Sequence, residues 1–226
     1  MHTNQFIVTG GTGALGAAVV GRLLADGARV VVPWIDPREV QRFPHAKVVE
    51  LAEVDIADES AVRSLYTAHD PLWGSIHIAG GFSMSPIVDT SADEFTRLYR
   101  LNALTAALCC REAVRAMRRA GDGGRIVNVA ARPALVPTGG MIAYSMSKAA
   151  VVSLTQSLAE EVKSDRILVN AIAPSIMDTP ANRAAMPGAD HASWPKVEEV
   201  AETIVFLASE RNALTTGAVV PVYGRA

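Results

Sequence analysis

Gln5-Phe6-Ile7-Val8-Thr9-Gly10-Gly11-Thr12-Gly13-Ala14-Leu15-Gly16 is the stretch on which the reading of this chain turns. Residues 5–9 are a short β-prone run, and a glycine-rich turn follows. From about 14 to 26 the pattern is helical, with Leu15, Val19, Leu23 and Leu24 on one side. Gly27 then stands as a C-cap candidate. A dinucleotide fingerprint requires a strand, a glycine turn and a helix in that order. In Gly11-x-Gly13-x-x-Gly16 the glycines allow a tight turn and close approach of a pyrophosphate, which the helix N-terminus binds. An ordinary glycine-rich βα turn carries the same letters. It is the strand–turn–helix context that favours the fingerprint.

Outward from this unit the alternation repeats. Residues 28–33, ARVVVP, form a continuous apolar run, as expected in a parallel sheet covered on both faces. Pro33 cannot donate a ladder bond and is predicted to end that strand. Asp36-Pro37-Arg38-Glu39 reads as an N-cap, a proline at N1 and an acid in the first turn. A strand over 47–51 leads to Asp55 and a helix near 59–69. A strand over 74–79 leads to Gly80-Gly81. Ser91-x-x-Glu94 is a capping box that opens a long helix to about 119, broken at 121–124. Strands over 125–129, 166–172 and 217–222 enclose helices over about 141–163 and 196–209. A loop with a short helix fills 175–194. Such alternation predicts right-handed βαβ units. The fold class is α/β: a single Rossmann-type doubly wound domain over residues 1–226, a seven-stranded parallel sheet with helices on both faces.

With 226 residues the chain can bury one sizeable core. Half of it is apolar and 19% is charged, which describes a packed protein and not a disordered one. A net charge of −2 predicts no nucleic-acid or anionic-membrane partner. No window is apolar for long enough to span a bilayer, and MHTNQFIVTG has no signal-peptide pattern. Cys109 and Cys110 are neighbours in a helical stretch, a poor geometry for a disulfide, and two thiols fit a reducing, cytoplasmic location. His2, His45, His69, His77 and His191 have no metal-ligand spacing, so no metal is expected.

The chemistry centres on Tyr144 and Lys148. They are four apart on a helix, so their side chains share a face. A phenol has a pKa of about 10, and a neighbouring ammonium lowers it. The pair could pass a proton to a developing alkoxide or amide. The same spacing also fits a half-buried tyrosine with a lysine snorkelling past it. On the adenosine side a fingerprint expects an acid near the end of the second strand. Trp34 and Ile35 stand there, and Asp36 follows. Asp36 could hold a ribose 2′-hydroxyl and repel a 2′-phosphate, and Arg38 could do the opposite. Both also suit a solvated helix start. The cofactor is NAD(H) or NADP(H), with a slight lean to NAD(H).

The ordered motifs together resemble the short-chain dehydrogenase/reductase family over the whole chain. Thr9-Gly10-x-x-x-Ala14-x-Gly16 is similar to its glycine motif, with Ala14 where glycine is usual. Asp55-Ile56 resembles its adenine-contacting segment. Ala79-Gly80 is similar to the second half of its Asn-Asn-Ala-Gly, with His77 and Ile78 in place of the asparagines; Gly81 follows. Asn102 falls at the mid-helix asparagine that holds a relay water. Tyr144 and Lys148 fall at the catalytic pair, with the lysine also bonding the nicotinamide ribose. Pro174-Ser175 resembles the Pro-Gly strand end, and Ile176 and Thr179 fall where the carboxamide is bound. The resemblance implies cofactor contacts by Gly10 to Gly16 (Thr12 and Leu15 included), Trp34, Asp36, Asp55, Ile56, Ala79, Gly80, Gly81, Tyr144, Lys148, Pro174, Ile176 and Thr179. It also implies a homodimer or homotetramer packed through the helices at about 91–119 and 141–163.

One departure bears on the substrate. The family's catalytic serine would fall at Ala131, beside Ala130. Loss of such a donor typically costs on the order of 10²–10³ in rate. Either the substrate does not need it, or the site is dead, or Ala131 is an engineered substitution. The first explanation has support. Ala131-x-Pro-Ala-Leu, Gly140-Met141-Ile142-x-Tyr144, Gln156-Ser157-Leu158-Ala159, Asp178-Thr179-Pro180-x-Asn182-Arg183 and Met186-Pro187-x-Ala189-Asp190 resemble the NADH-using dihydropteridine reductase-like branch. That branch carries alanine at this position, and its activated C=N substrate needs less polarisation. Trp34 departs from the branch. Thr138 and Ser175 could donate to a substrate beside Ala131 and Tyr144, and Thr138 suits a turn equally well. Phe82, Met141, Met146, Met177, Met186 and Trp194 could wall a pocket for a flat ring or simply pack. His77 ends a strand. Residues about 178–195 suit a substrate lid.

The expected function is hydride transfer from NAD(P)H to an activated C=N or C=O of a small cyclic substrate, with Tyr144 donating the proton. Two alternatives stand beside it. One is a carbonyl reductase or alcohol dehydrogenase of secondary metabolism with a substituted serine, and the other is a non-catalytic dinucleotide-binding protein.

Overall fold

A computed structural model describes residues 4–225; His2 therefore lies outside the described residues. The elements are β1 (Gln5–Thr9), α1 (Ala14–Ala25), β2 (Arg29–Trp34), α2 (Pro37–Arg42), β3 (Glu50–Glu53), α3 (Glu59–Ala68), β4 (Gly74–His77), α4 (Ala92–Tyr99) and α5 (Thr105–Ala120). They continue as β5 (Gly124–Val129), α6 (Ile142–Glu161), β6 (Ile167–Pro174), α7 (Pro180–Ala185), α8 (Val197–Ala208) and β7 (Val219–Val222). The seven strands form one parallel sheet in the order β3-β2-β1-β4-β5-β6-β7. The order reverses between β1 and β4, and that opens a crevice at their carboxyl ends.

The apolar strand runs are explained by two cores, one on each face. Phe6, Val8, Val30, Val32, Val127 and Val129 point into a core closed by α1 and α8. The intervening Ile7, Val31 and Ile126 point into a second core closed by α3, α5 and the end of α6. Both faces of the central strands are buried, which is why β1, β2 and β6 read as nearly continuous apolar runs.

Three local expectations are corrected. β2 runs one residue past Pro33, through Trp34. Its pairing with β1 stops at Val31, so that neighbour makes no demand on the missing N–H of Pro33. The third strand lies at Glu50–Glu53, three residues later than its apolar letters suggest. The helix opened by Ser91 is not continuous. A π turn over Arg100–Leu104 separates α4 from α5, with the Thr105 N–H bonded back to the Arg100 carbonyl. Ser91 caps α4 through the Glu94 N–H, but the Glu94 carboxylate is taken by Arg97 at 2.7 Å.

His77 does more than end β4. Its Nδ1 meets Asn128 Oδ1 at 2.8 Å, and its Nε2 meets Ser75 Oγ at 2.8 Å, which in turn meets the Tyr66 hydroxyl at 2.7 Å. Asn128 Nδ2 donates onward to Thr155 Oγ1 at 2.9 Å. This buried chain ties α3, β4, β5 and α6 together, and burial pushes the imidazole down to about 4. An unfolded histidine protonates near 6.5, so between these values the unfolded state takes a proton that the folded state refuses. Stability is complete above about pH 6.5 and falls as pH drops toward 4, by up to about 3 kcal/mol. Urea denaturation at pH 7 and pH 5 should show this loss, and His77→Asn should flatten it.

Candidate active site

The glycine turn closes onto the exit of β4. Gly10 has φ +68, and a Cβ there would stand 2.6 Å from the Ala79 amide nitrogen. The Gly13 N–H donates to the Gly10 carbonyl at 3.1 Å, and Gly13 is the N-cap of α1. It has no side chain to accept from the first-turn N–H groups, and no acid stands in that turn. Open N–H groups at a helix start favour an anion. The cradle fits a pyrophosphate, and Gly10 to Gly16 would hold it. Asp55, by contrast, is exposed and accepts from the Ala57 N–H at 2.9 Å.

The second half of the site gathers around Asn102, which sits in the π turn and is buried. Its Oδ1 accepts from the Gly81 N–H at 2.9 Å. Its Nδ2 donates to the Gly81 carbonyl at 3.0 Å and to Ser147 Oγ at 2.9 Å. Ser147 donates to the Tyr144 carbonyl at 2.7 Å. Both Asn102 N–H groups are thus spent on protein, and a relay water would have only its carbonyl oxygen to use. A Cβ on Gly80 would lie 2.3 Å from Asn102 Oδ1 and 3.3 Å from Lys148 Nζ. Gly80, Asn102 and Lys148 therefore crowd together as the motifs suggested. Ser147, the link to Tyr144, was missed. Its signal was a polar residue three places after the tyrosine, on the side of the helix that is buried.

Lys148 is buried, and its Nζ donates to the Val129 carbonyl at 2.8 Å. Burial lowers its pKa to about 8. Tyr144 moves the opposite way from the expectation drawn from the pair. Loss of water pushes the phenol up to about 12, and Lys148 is not among the causes. The phenol holds its proton firmly at neutral pH. Its ring takes the edge of Phe82, centroids 4.9 Å apart at 81°. Phe82 is placed by the loop after β4, which the Ser85 N–H ties to the Gly140 carbonyl at 2.8 Å. Phe82, Met84 and Met146 leave apolar surface exposed on that loop and on α6.

Ala131 is buried two residues past the end of β5, 4% exposed. The other candidate donors are engaged. Thr138 Oγ1 donates to the Val136 carbonyl at 3.1 Å, a turn contact, and Ser175 Oγ donates to the Tyr223 carbonyl at 2.9 Å. Pro174 ends β6, Ile176 is exposed, and Thr179 caps α7 through the Asn182 N–H at 3.1 Å. The 178–195 segment is tied internally by Arg183 on Asp178 at 2.5 Å and by the His191 and Trp194 rings at 4.6 Å. Trp194 is buried rather than facing a pocket. Among the described residues there is no cluster of three metal-ligating side chains, and no helix is long and apolar enough to cross a membrane.

Comparison with known proteins agrees with this geometry. A family model described as enoyl-(acyl carrier protein) reductase matches residues 11–224. The uncharacterized oxidoreductase YgfF of Escherichia coli strain K12 is 31% identical, over 96% of this chain and 98% of its own. Carbonyl reductase (NADPH) 2 of Sus scrofa is 29% identical, over 93% of this chain and 91% of its own. A solved short-chain type dehydrogenase/reductase from Mycobacterium ulcerans superposes with a TM-score of 0.89 at 28% identity, covering 97% of this chain and 88% of that one. The chain belongs to the short-chain dehydrogenase/reductase family of NAD(P)-dependent oxidoreductases.

Proposed function

We propose that this protein is a reductase acting on an activated C=N or C=O in a small cyclic substrate, with the Tyr144 hydroxyl as proton donor. When bound, the reduced nicotinamide supplies the hydride. The observation that carries the reading is the bond chain from Gly81 through Asn102 and Ser147 to the Tyr144 carbonyl, which ties the first turn of α6 to the loop after β4, while burial keeps the phenol protonated. A proton held in this way suits delivery to nitrogen or oxygen as charge develops there. Lys148, anchored on Val129, holds a cation beside Gly80 and would orient the nicotinamide ribose of a bound cofactor. Ala131 offers a methyl where a hydroxyl would polarise a carbonyl, so the substrate must arrive activated, as a quinonoid pterin-like ring does. The Phe82 and Met146 surface suits a flat ring, with residues 178–195 as its lid.

On this reading the whole chain acts as one domain. The partner is a second copy, giving a dimer or tetramer packed through the helices over 92–120 and 142–161. A reducing, cytoplasmic setting accords with the free thiols of Cys109 and Cys110.

A conventional carbonyl reductase is the second reading, favoured by the similarity to carbonyl reductase (NADPH) 2. Assay of NADH and NADPH oxidation against quinonoid dihydropterin and a diketone panel separates the two. Wild type should turn over the activated ring and leave ketones nearly untouched. Ala131→Ser should raise ketone turnover by no more than a few-fold. A gain approaching 10²–10³, the usual worth of one such donor, would instead identify a decayed or altered ketoreductase.

A further inference from the structure

The first turn of α2 reaches back to the glycine turn. Thr12 Oγ1 donates to Glu39 Oε2 at 2.5 Å. No acid stands at the end of β2, where Trp34 is followed by the exposed Ile35. Asp36 comes next, but it is the N-cap of α2 and is occupied. It accepts from the Arg38 N–H at 2.9 Å, and its oxygens hold the Arg38 guanidinium at 2.8 to 3.1 Å. The Arg38 cation is thus paired with its own neighbour. Arg42 bonds the Arg38 carbonyl at 3.1 Å. Among the described residues Glu39 has no ion pair within 4 Å, and it is fastened to Thr12 inside the fingerprint itself.

We propose that Glu39, latched by Thr12, is the residue that selects the adenosine ribose of the dinucleotide. It favours the unphosphorylated ribose of NAD(H) and rejects the 2′-phosphate of NADP(H). The inference rests on reading the crevice as a dinucleotide site. A hydrogen bond to a carboxylate is short and strong, so Thr12 fixes one oxygen and leaves Oε1 to accept from a ribose hydroxyl. A 2′-phosphate brings about −1.5 to −2 of charge against that carboxylate. Arg38 offsets it only by giving up the guanidinium bonds it makes to Asp36. The acid that families of this kind place at the strand end has here been moved into the next helix and tied back to the turn.

Equilibrium titration by tryptophan fluorescence, with NADH and NADPH as the probes and no substrate present, tests this. Wild type should bind NADH about tenfold or more tightly than NADPH, the worth of one nearby charge in a partly solvated site. Glu39→Gln should narrow that ratio about tenfold, chiefly by tightening NADPH. Thr12→Val, which cuts the latch but keeps the charge, should weaken NADH while NADPH stays excluded. A ratio unchanged by Glu39→Gln, or a wild-type preference for NADPH, overturns the proposal and leaves the dinucleotide site standing. Binding of neither probe by wild type overturns both.

Discussion

Tyr144→Phe lowers turnover of an accepted substrate by about 10²–10⁴-fold, the usual span for a positioned general acid. Dinucleotide binding stays intact in the same variant, because the hydroxyl alone is removed. The ring still meets Phe82, and the backbone carbonyl still accepts from Ser147. The loss should appear in kcat rather than KM, since the proton moves only as charge develops on the substrate. With the phenol up at about 12, the wild-type enzyme should keep its proton-donating form across the neutral range. Unchanged turnover would remove Tyr144 from the mechanism.

Gly16→Ala should be the most damaging single methyl in the chain. A Cβ there would lie 2.0 Å from the Gly10 carbonyl oxygen and 2.6 Å from the Gly11 Cα. Both obstacles are backbone, so no side chain can swing aside. Either α1 tilts off the sheet or the turn opens. α1 carries Leu15, Val19, Val20 and Leu23 into the first core, so tilting breaks packing and does not merely strain a loop. Overpacking costs about 3 kcal/mol at the upper end of its usual range, and more when nothing can yield. For a domain of this size that is a fall in Tm of about 6–12 °C. Opening the turn instead would spoil the cradle of α1 N–H groups that is expected to hold a pyrophosphate. Calorimetry together with NADH titration should find one loss or both, and a variant normal in both would show that the turn is looser than its geometry implies.

Much of this was legible from the letters because the relevant physics is local. A strand, a glycine turn and a helix start are each set by a few adjacent residues, and burial of both sheet faces writes itself as Val-Val-Val and Ile-Val. The Tyr144–Lys148 pairing on one face follows from helix pitch alone. What escaped depends on partners distant in sequence. Whether Lys148 lowers the phenol pKa is decided by where Nζ goes, and it goes to Val129, on a strand. Whether Asn102 is free to hold water is decided by Gly81 and Ser147. The bond from Thr12 to Glu39 spans an entire strand, and no periodicity announces it. Pro33 misled because its rule assumes a paired neighbour, and the pairing with β1 has already stopped at Val31.

The π turn at Arg100–Leu104 gives the chain a phase slip. A π bond closes over five residues where an α bond closes over four, so α4 and α5 follow one another without sharing a wheel. A helical wheel drawn from Ser91 goes out of step when it passes Asn102, and one drawn back from Gly121 fails at the same place. The count of residues between that cap and that stop is therefore itself information, as a vernier's offset is. One residue fewer restores a regular helix and turns the asparagine away from Gly81, with every apolar letter still in place.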